Sequence, residues 1–253
     1  MIFSKVFKSI LGIFPIIIFL ILWELMARMH LISGKFFLPP FSMVVSEFYN
    51  LTVSGILGKS FISSLSRVLI GFSLGTVAGI VFGILTGWNY LLDRTLSPII
   101  SLVYPIPALG WLPLLMLWLG IGEILPITII FICSFFPILY NTSTGIKTVD
   151  KNYIRVAKTL GASDKKILFS VVIPLALPNI FTGLRLESGM AWRVIIAAEM
   201  VAIPTGIGAL MMRAESLMRI DIIIVCLIIL AMMCFLFERF FIFLEMIFTS
   251  KWR

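Results

Sequence analysis

Charge is scarce in this sequence, and so are the residues that most often do chemistry. Asp, Glu, Lys and Arg together make up 13% of the 253 residues, and there is one histidine, His30. The three cysteines, Cys133, Cys226 and Cys234, each fall inside an apolar run. A thiol there packs as a small hydrophobe, and neither a disulfide nor a metal site is suggested. No Cys/His/Asp cluster has metal-ligand spacing, and nothing resembles a nucleophile–base pair. Gly58-Lys59-Ser60 mimics the end of a phosphate-binding loop, but the glycine required five residues earlier is Val53. The chain therefore carries no catalytic site of its own and needs no cofactor. Strong period-2 alternation is missing as well, which argues against a β-barrel. There is no soluble domain, low-complexity tract or clear internal repeat.

What the chain has in quantity is apolar surface. It is 60% hydrophobic, with a mean hydropathy of +1.14. A soluble domain cannot hide that much, so the class is an all-α polytopic membrane protein, a single transmembrane domain over 1–253. A spanning helix needs about 20 mostly apolar residues. Six stretches qualify: about 10–27, 62–88, 98–119, 124–142, 178–203 and 219–243. The first has a basic start like a signal peptide. Its apolar part runs on to Met26 with no small-x-small cleavage site after it, so it reads as an uncleaved span.

Six spans put both termini on one side. That side holds twelve basic residues: Lys5, Lys8, Arg94, Lys147, Lys151, Arg155, Lys158, Lys165, Lys166, Arg239, Lys251 and Arg253. The other holds six, Arg28, Lys35, Lys59, Arg67, Arg213 and Arg219, while Arg185 and Arg193 sit within the fifth span. The basic side is expected to be cytoplasmic. The net charge of +8 thus reflects topology in a lipid bilayer rather than nucleic-acid binding. On the outer side "FSMVVSEFYNL" is expected to form a short amphipathic helix.

Two spans have unusual composition. In the second, Gly71, Gly75, Gly79, Gly83 and Gly87 recur at every fourth position. Small residues at that spacing let another helix approach backbone to backbone. The third span carries Pro98, Pro105, Pro107 and Pro113, and interior prolines remove backbone hydrogen bonds and kink helices. Broken backbone at membrane depth is tolerated inside protein or beside a cavity, so this span should face the interior or a pathway.

Between the fourth and fifth spans lies "RVAKTLGASDKKILFSVVIPLALP". Val156, Leu160 and Ile167 can share a helical face, with Lys158 and Lys165 pointing elsewhere. Gly161 interrupts, and Ser163-Asp164 would cap a second short helix. Pro174 and Pro178 would mark the turn into the membrane. Such a helix–turn–helix across the cytoplasmic face (about 147–174) suits either of two roles. Val156, Ala157, Leu160 and Ala162 could enter a partner's groove, or the lysines could rest on anionic lipid.

The segment resembles the "EAA" cytoplasmic loop of permease subunits of ATP-binding-cassette importers. Arg155-Val156-Ala157 stands where the family has Glu-Ala-Ala, Gly161 follows, and Val171-Val172-Ile173-Pro174 closes the pattern. "FLPP", "RVLIGFSLG", "YPIPALGWLPLLMLWLGIGE", "AKTLGAS", "LPNIFTGLRL" and "AAEMVA" are similar to the nitrate/sulfonate/taurine-type branch, from about Leu22 to Phe237. The resemblance implies a type I importer permease fold in a bacterial-type cytoplasmic membrane. It implies a homodimer of permease subunits, a dimer of cytoplasmic ATP-binding subunits and an external solute-binding protein, with ATP bound by the partner. Coupling would fall to Arg155, Val156, Ala157, Lys158, Leu160, Gly161, Ala162 and Ser163. The solute would be small and anionic, sulfonate-, taurine- or nitrate-like, or else a vitamin precursor.

Charges at membrane depth are functional candidates by default. Arg185, Glu187, Arg193 and Glu199 lie in or beside the fifth span. On a helical wheel Arg185, Arg193 and Glu199 share a broad sector and Glu187 points away. The candidate path is therefore Trp192, Arg193 and Glu199, with Pro107 and Trp111 of the third span. A self-contained secondary transporter would instead need an ion-coupling site and often an inverted repeat, and neither is visible.

Overall fold

Apolar helices with polar breaks between them account for nearly all of the chain. The computed structural model describes residues 2–29 and 38–249. His30 and Lys35, and the C-terminal Lys251 and Arg253, lie outside the described residues.

Helix α1 (Ile2–Arg28) contains the first apolar stretch, and α2 (Phe41–Val53) is the expected short amphipathic helix. Then come α3 (Ile56–Trp88), α4 (Tyr90–Val103), a 3-10 turn (Ala108–Trp111), α5 (Leu112–Leu119) and α6 (Ile124–Lys147). The chain continues through α7 (Lys151–Thr159), α8 (Asp164–Ile167), a π turn (Leu168–Val172), α9 (Ile173–Ala202), α10 (Ile207–Ser216) and α11 (Ile220–Thr249). Among the described residues, α3, α6, the run Asp164–Ala202 and α11 are each long and apolar enough to cross a membrane.

The third stretch has the broken backbone that its prolines implied, as two pieces, Tyr90–Val103 and Ala108–Leu119, meeting at 84°. Pro105 and Pro107 sit within the break. Each lacks an N–H, and each disfavours the helical conformation in the residue before it, so the helix stops instead of bending. The fifth span does not begin at Pro178. Helical structure runs from Asp164 to Ala202 and passes straight through Pro174 and Pro178. The wider π turn at Leu168–Val172 comes just before Pro174, where an α-helical proline ring would meet a carbonyl one turn back. The span ends at Ile203, which is extended (φ −144°, ψ 143°) because Pro204 follows.

Packing follows the glycine stripe. A methyl group built on Gly71 would stand 2.7 Å from the Ile127 carbonyl oxygen, and on Gly79 it would stand 2.9 Å from that of Phe135. Gly75, Gly83 and Gly87 meet Ser134, Thr142 and Ile146 in the same way, so α3 and α6 run backbone against backbone for their whole contact. Helix α9 packs against α6 and also touches α3, and α11 packs against α9. Trp192 is fully buried between the rings of Phe61 (centroids 6.4 Å apart, stacked) and Phe237 (5.5 Å, edge-on). Helix α1 joins this body mainly near its end. There Trp23 packs on Phe41 and donates to the Pro39 carbonyl (3.1 Å), and Glu24 accepts from Ser42. Phe14, Ile17, Phe19 and Leu22 stay exposed.

Candidate functional site

Three constructions stand out, one at each end of the bundle and one in its middle. The first is the segment after α6. The Asp150 carboxylate accepts from the Asn152 N–H (2.9 Å) and starts α7. The helix closes in a paired hydrogen-bond motif. Ala162 N–H donates to the Ala157 carbonyl (3.0 Å), Gly161 N–H to that of Lys158 (2.9 Å), and Gly161 takes φ +77°. A side chain in that conformation would be strained, which is why glycine occupies the turn. Ser163 caps the next helix, its hydroxyl accepting from the Lys166 N–H (3.4 Å).

These caps fix which side chains point out. Ile154, Ala157, Ala162 and Leu168 pack against the core, and Ile167 is fully buried. Val156 and Leu160 project into open space, Leu160 being 81% exposed, and Arg155, Lys158 and Ser163 are exposed beside them. The expected common face of Val156, Leu160 and Ile167 is therefore not formed, because the turn at Gly161 rotates Ile167 under the helix it follows. The platform is tied down from both sides: Lys147 donates to Asp93 at 2.6 Å, and Asn179 reaches Thr148 at 3.4 Å.

At the opposite end lies a buried ion network that helical periodicity did not reveal. Arg67, counted above with the outer loops, belongs to α3 and is 2% exposed. Its guanidinium grips Glu123 through two bonds of 2.6 Å. It also donates to Glu199 (2.6 Å), the Thr205 hydroxyl (2.6 Å) and the Thr205 carbonyl (2.9 Å), so all five N–H donors are used. Glu199 is fully buried and also accepts from Ser64 (2.8 Å) and the Gly208 N–H (3.0 Å). A β-carbon on Gly206 would collide with that carboxylate. The network locks α3, the turn before α6 and the α9–α10 link together. Glu123 is its exposed edge, and the Arg67 hydrogen bonds hold its carboxyl below the usual glutamate range.

The third construction is a cavity of about 230 Å³ at the break between α4 and α5, walled by α6 and α9. Tyr104, Pro105, Pro107, Cys133, Pro137 and Glu187 line it, with Tyr104 stacked on Tyr140 (5.2 Å, 7°). Of the five residues assigned to a path by sequence, Pro107 alone lies on this lining. Glu199 belongs to the ion network and Trp192 to the core. Trp111 is half-buried against the Leu115–Leu125 cluster, and exposed Arg193 contacts the Met190 sulfur (3.6 Å). Glu187, set aside on the helical wheel, is the charged group in the cavity. The rule that ionisable groups at membrane depth are functional had marked it.

Comparison with known proteins agrees with this architecture. Residues 75–246 match the family model described as the binding-protein-dependent transport system inner membrane component. A putative ABC transporter permease of Methanocaldococcus jannaschii is 40% identical, the match covering 87% of this chain and 83% of the relative. The taurine transport system permease protein TauC of Escherichia coli is 34% identical (90% and 84%), and the nitrate import permease protein NrtB of Synechocystis is 39% identical (75% and 69%). Among solved structures, an inward-facing MetNI methionine ABC transporter shares the fold, with a TM-score of 0.59 at 17% identity over 75% of this chain and 96% of that one. The chain belongs to the family of binding-protein-dependent transport system inner membrane components: it is a multi-pass permease subunit of an ATP-binding-cassette importer, which works with a separate ATP-hydrolysing subunit and a solute-binding protein.

Proposed function

We propose that this chain forms a homodimeric permease with both termini in the cytoplasm, and that it couples to a pair of ATP-binding subunits through the α7–α8 platform. The observation that carries the reading is the outward projection of Val156 and Leu160 from a capped, core-anchored turn. An apolar tip of that kind, ringed by Arg155 and Lys158, suits a hydrophobic groove with an acidic rim. Lipid contact would be served as well by lysines alone and would not call for so rigid a mount.

In operation, closure of the ATP-binding subunits pushes the platform. Because the platform continues without a break into α9, the push is delivered to the helix that walls the cavity. The solute is small, in the range that relatives' names span: taurine, nitrate, bicarbonate and aliphatic sulfonates.

Leu160→Asp is the direct test, because Leu160 is exposed and its loss leaves the core intact. The variant should reach the membrane at normal levels and fail to copurify with the ATP-binding subunit. Undiminished copurification would refute the coupling role.

A further inference from the structure

The cavity at the α4–α5 break has a chemistry of its own, and that chemistry bears on the solute. Resting on the importer reading above, we infer that the cavity is a subsite for a cationic centre, and that the transported solute carries a protonated nitrogen or an equivalent positive group. Glu187 lies midway along α9 and lines the cavity, together with Tyr104 from the end of α4 and Cys133 of α6. Its one hydrogen bond to a side chain is from the Cys133 thiol, at 3.7 Å. No lysine, arginine or histidine lines the cavity, and among the described residues Glu187 forms no ion pair.

The neighbouring cations form no ion pair with Glu187: Arg185 reaches toward Glu245 of α11 at 3.7 Å, and the exposed Arg193 touches the Met190 sulfur (3.6 Å) and lies beside Cys234 of α11. Both face α11, whereas Glu187 faces α6. The carboxylates in the outer network show the contrast, since Glu199 is saturated by a guanidinium, a hydroxyl and a backbone N–H. A carboxylate at membrane depth is expensive and is normally matched by a partner. Here the matching position is open space, bounded by broken backbone of the sort that membranes accept beside a pathway.

The remaining lining is consistent with a small cation-bearing molecule. The Tyr104 ring, stacked on Tyr140, offers an aromatic face, and such faces attract ammonium groups. With Glu187 ionised, an anion without a cationic group would be repelled there. Among the solutes in the relatives' names, taurine with its ammonium group fits this subsite, and nitrate and bicarbonate do not. Where the solute is zwitterionic, its anionic end is held outside this cavity.

Cys133 allows a test that does not require the solute to be known. In the assembled importer, with Cys226→Ala and Cys234→Ala leaving Cys133 as the single thiol of this chain and modification read on this chain alone, two reagents of similar size are compared. One is 2-(trimethylammonium)ethyl methanethiosulfonate and the other is its 2-sulfonatoethyl counterpart. With intrinsic thiol reactivities divided out, and at an alkaline pH at which Glu187 is ionised, the cationic reagent should modify Cys133 at least about tenfold faster, the effect of a unit charge a few ångströms away at an intermediate dielectric. Glu187→Gln keeps the shape and should bring the ratio close to one. Equal rates in the parent protein, a ratio unchanged by Glu187→Gln, or a Cys133 that neither reagent reaches would each overturn the subsite. Copurification with the ATP-binding subunit is scored separately, so a charge-selective cavity in a permease that does not hold that subunit would count against the coupling role and leave the subsite standing.

Discussion

Arg67 and Glu199 are 132 residues apart and neither is solvated, so each depends on the other for its charge to be tolerated. Removing one member of such a buried pair strands the other and costs about 3–5 kcal/mol. Glu199→Leu should therefore lower the melting temperature of the purified protein far more than Glu123→Gln. Glu123 is 64% exposed in its side chain and screened by water, and its removal leaves Arg67 still paired. Equal, small shifts for both would mean that the network is not what holds that end of the bundle. The Arg67–Glu123 pair gives a pH dependence. The carboxyl of Glu123 is depressed in the folded protein by the Arg67 hydrogen bonds. Its contribution is thus complete above the ordinary glutamate value of about 4.3 and fades as pH falls through the lower, folded value. Melting curves between neutral and acidic pH should show that loss, and Glu123→Gln should flatten it. An identical pH profile in the variant would remove Glu123 from the network.

At the scale of helices, how much was legible depended on range. The caps of α7 and α8 are local signals, since Asp150, Gly161 and Ser163 act on residues within one turn, and so the platform could be read from its own sequence. The glycine stripe was equally readable, because a repeat of four on one helix is a property of that helix alone. The ion network was not. Periodicity places Arg67 on a face of α3 but says nothing about which residue of α9 arrives opposite. Glu187 was passed over for a related reason. A helical wheel sorts the residues of α9 against one another, and the cavity exists only because α4 and α5 stop short beside it. Prolines gave a mixed signal: Pro105 and Pro107 do break a helix, whereas Pro174 and Pro178 are carried inside one. What the π turn before Pro174 changes is the register of the hydrogen bonds, and local sequence does not announce that. The stripe supports a further prediction. Gly79→Leu drives a side chain into the Phe135 backbone, which overpacking of about 1–3 kcal/mol or more would register as a loss of folded protein and of assembled complex. Gly79→Ala should fall between parent and Leu in melting temperature. Parent-like yield and stability of the Leu variant would contradict the close approach of α3 and α6.

For the molecule as a whole, the three constructions lie in series along α9. The platform continues into its start, the cavity opens at its middle, and the ion network clamps its far end through Glu199. On the proposed coupling, a push at the platform would be transmitted along one helix, past the cavity, to a fastening point shared with α3 and α10. Rigid-body rocking of that unit against a second copy would open the cavity to one side of the membrane and then the other. The source of the push decides the account. Leu160 replaced by a photo-crosslinking amino acid and irradiated in native membranes should yield a covalent product with the ATP-binding subunit of the importer. Adducts with lipid alone, or none on the cytoplasmic side, would contradict it.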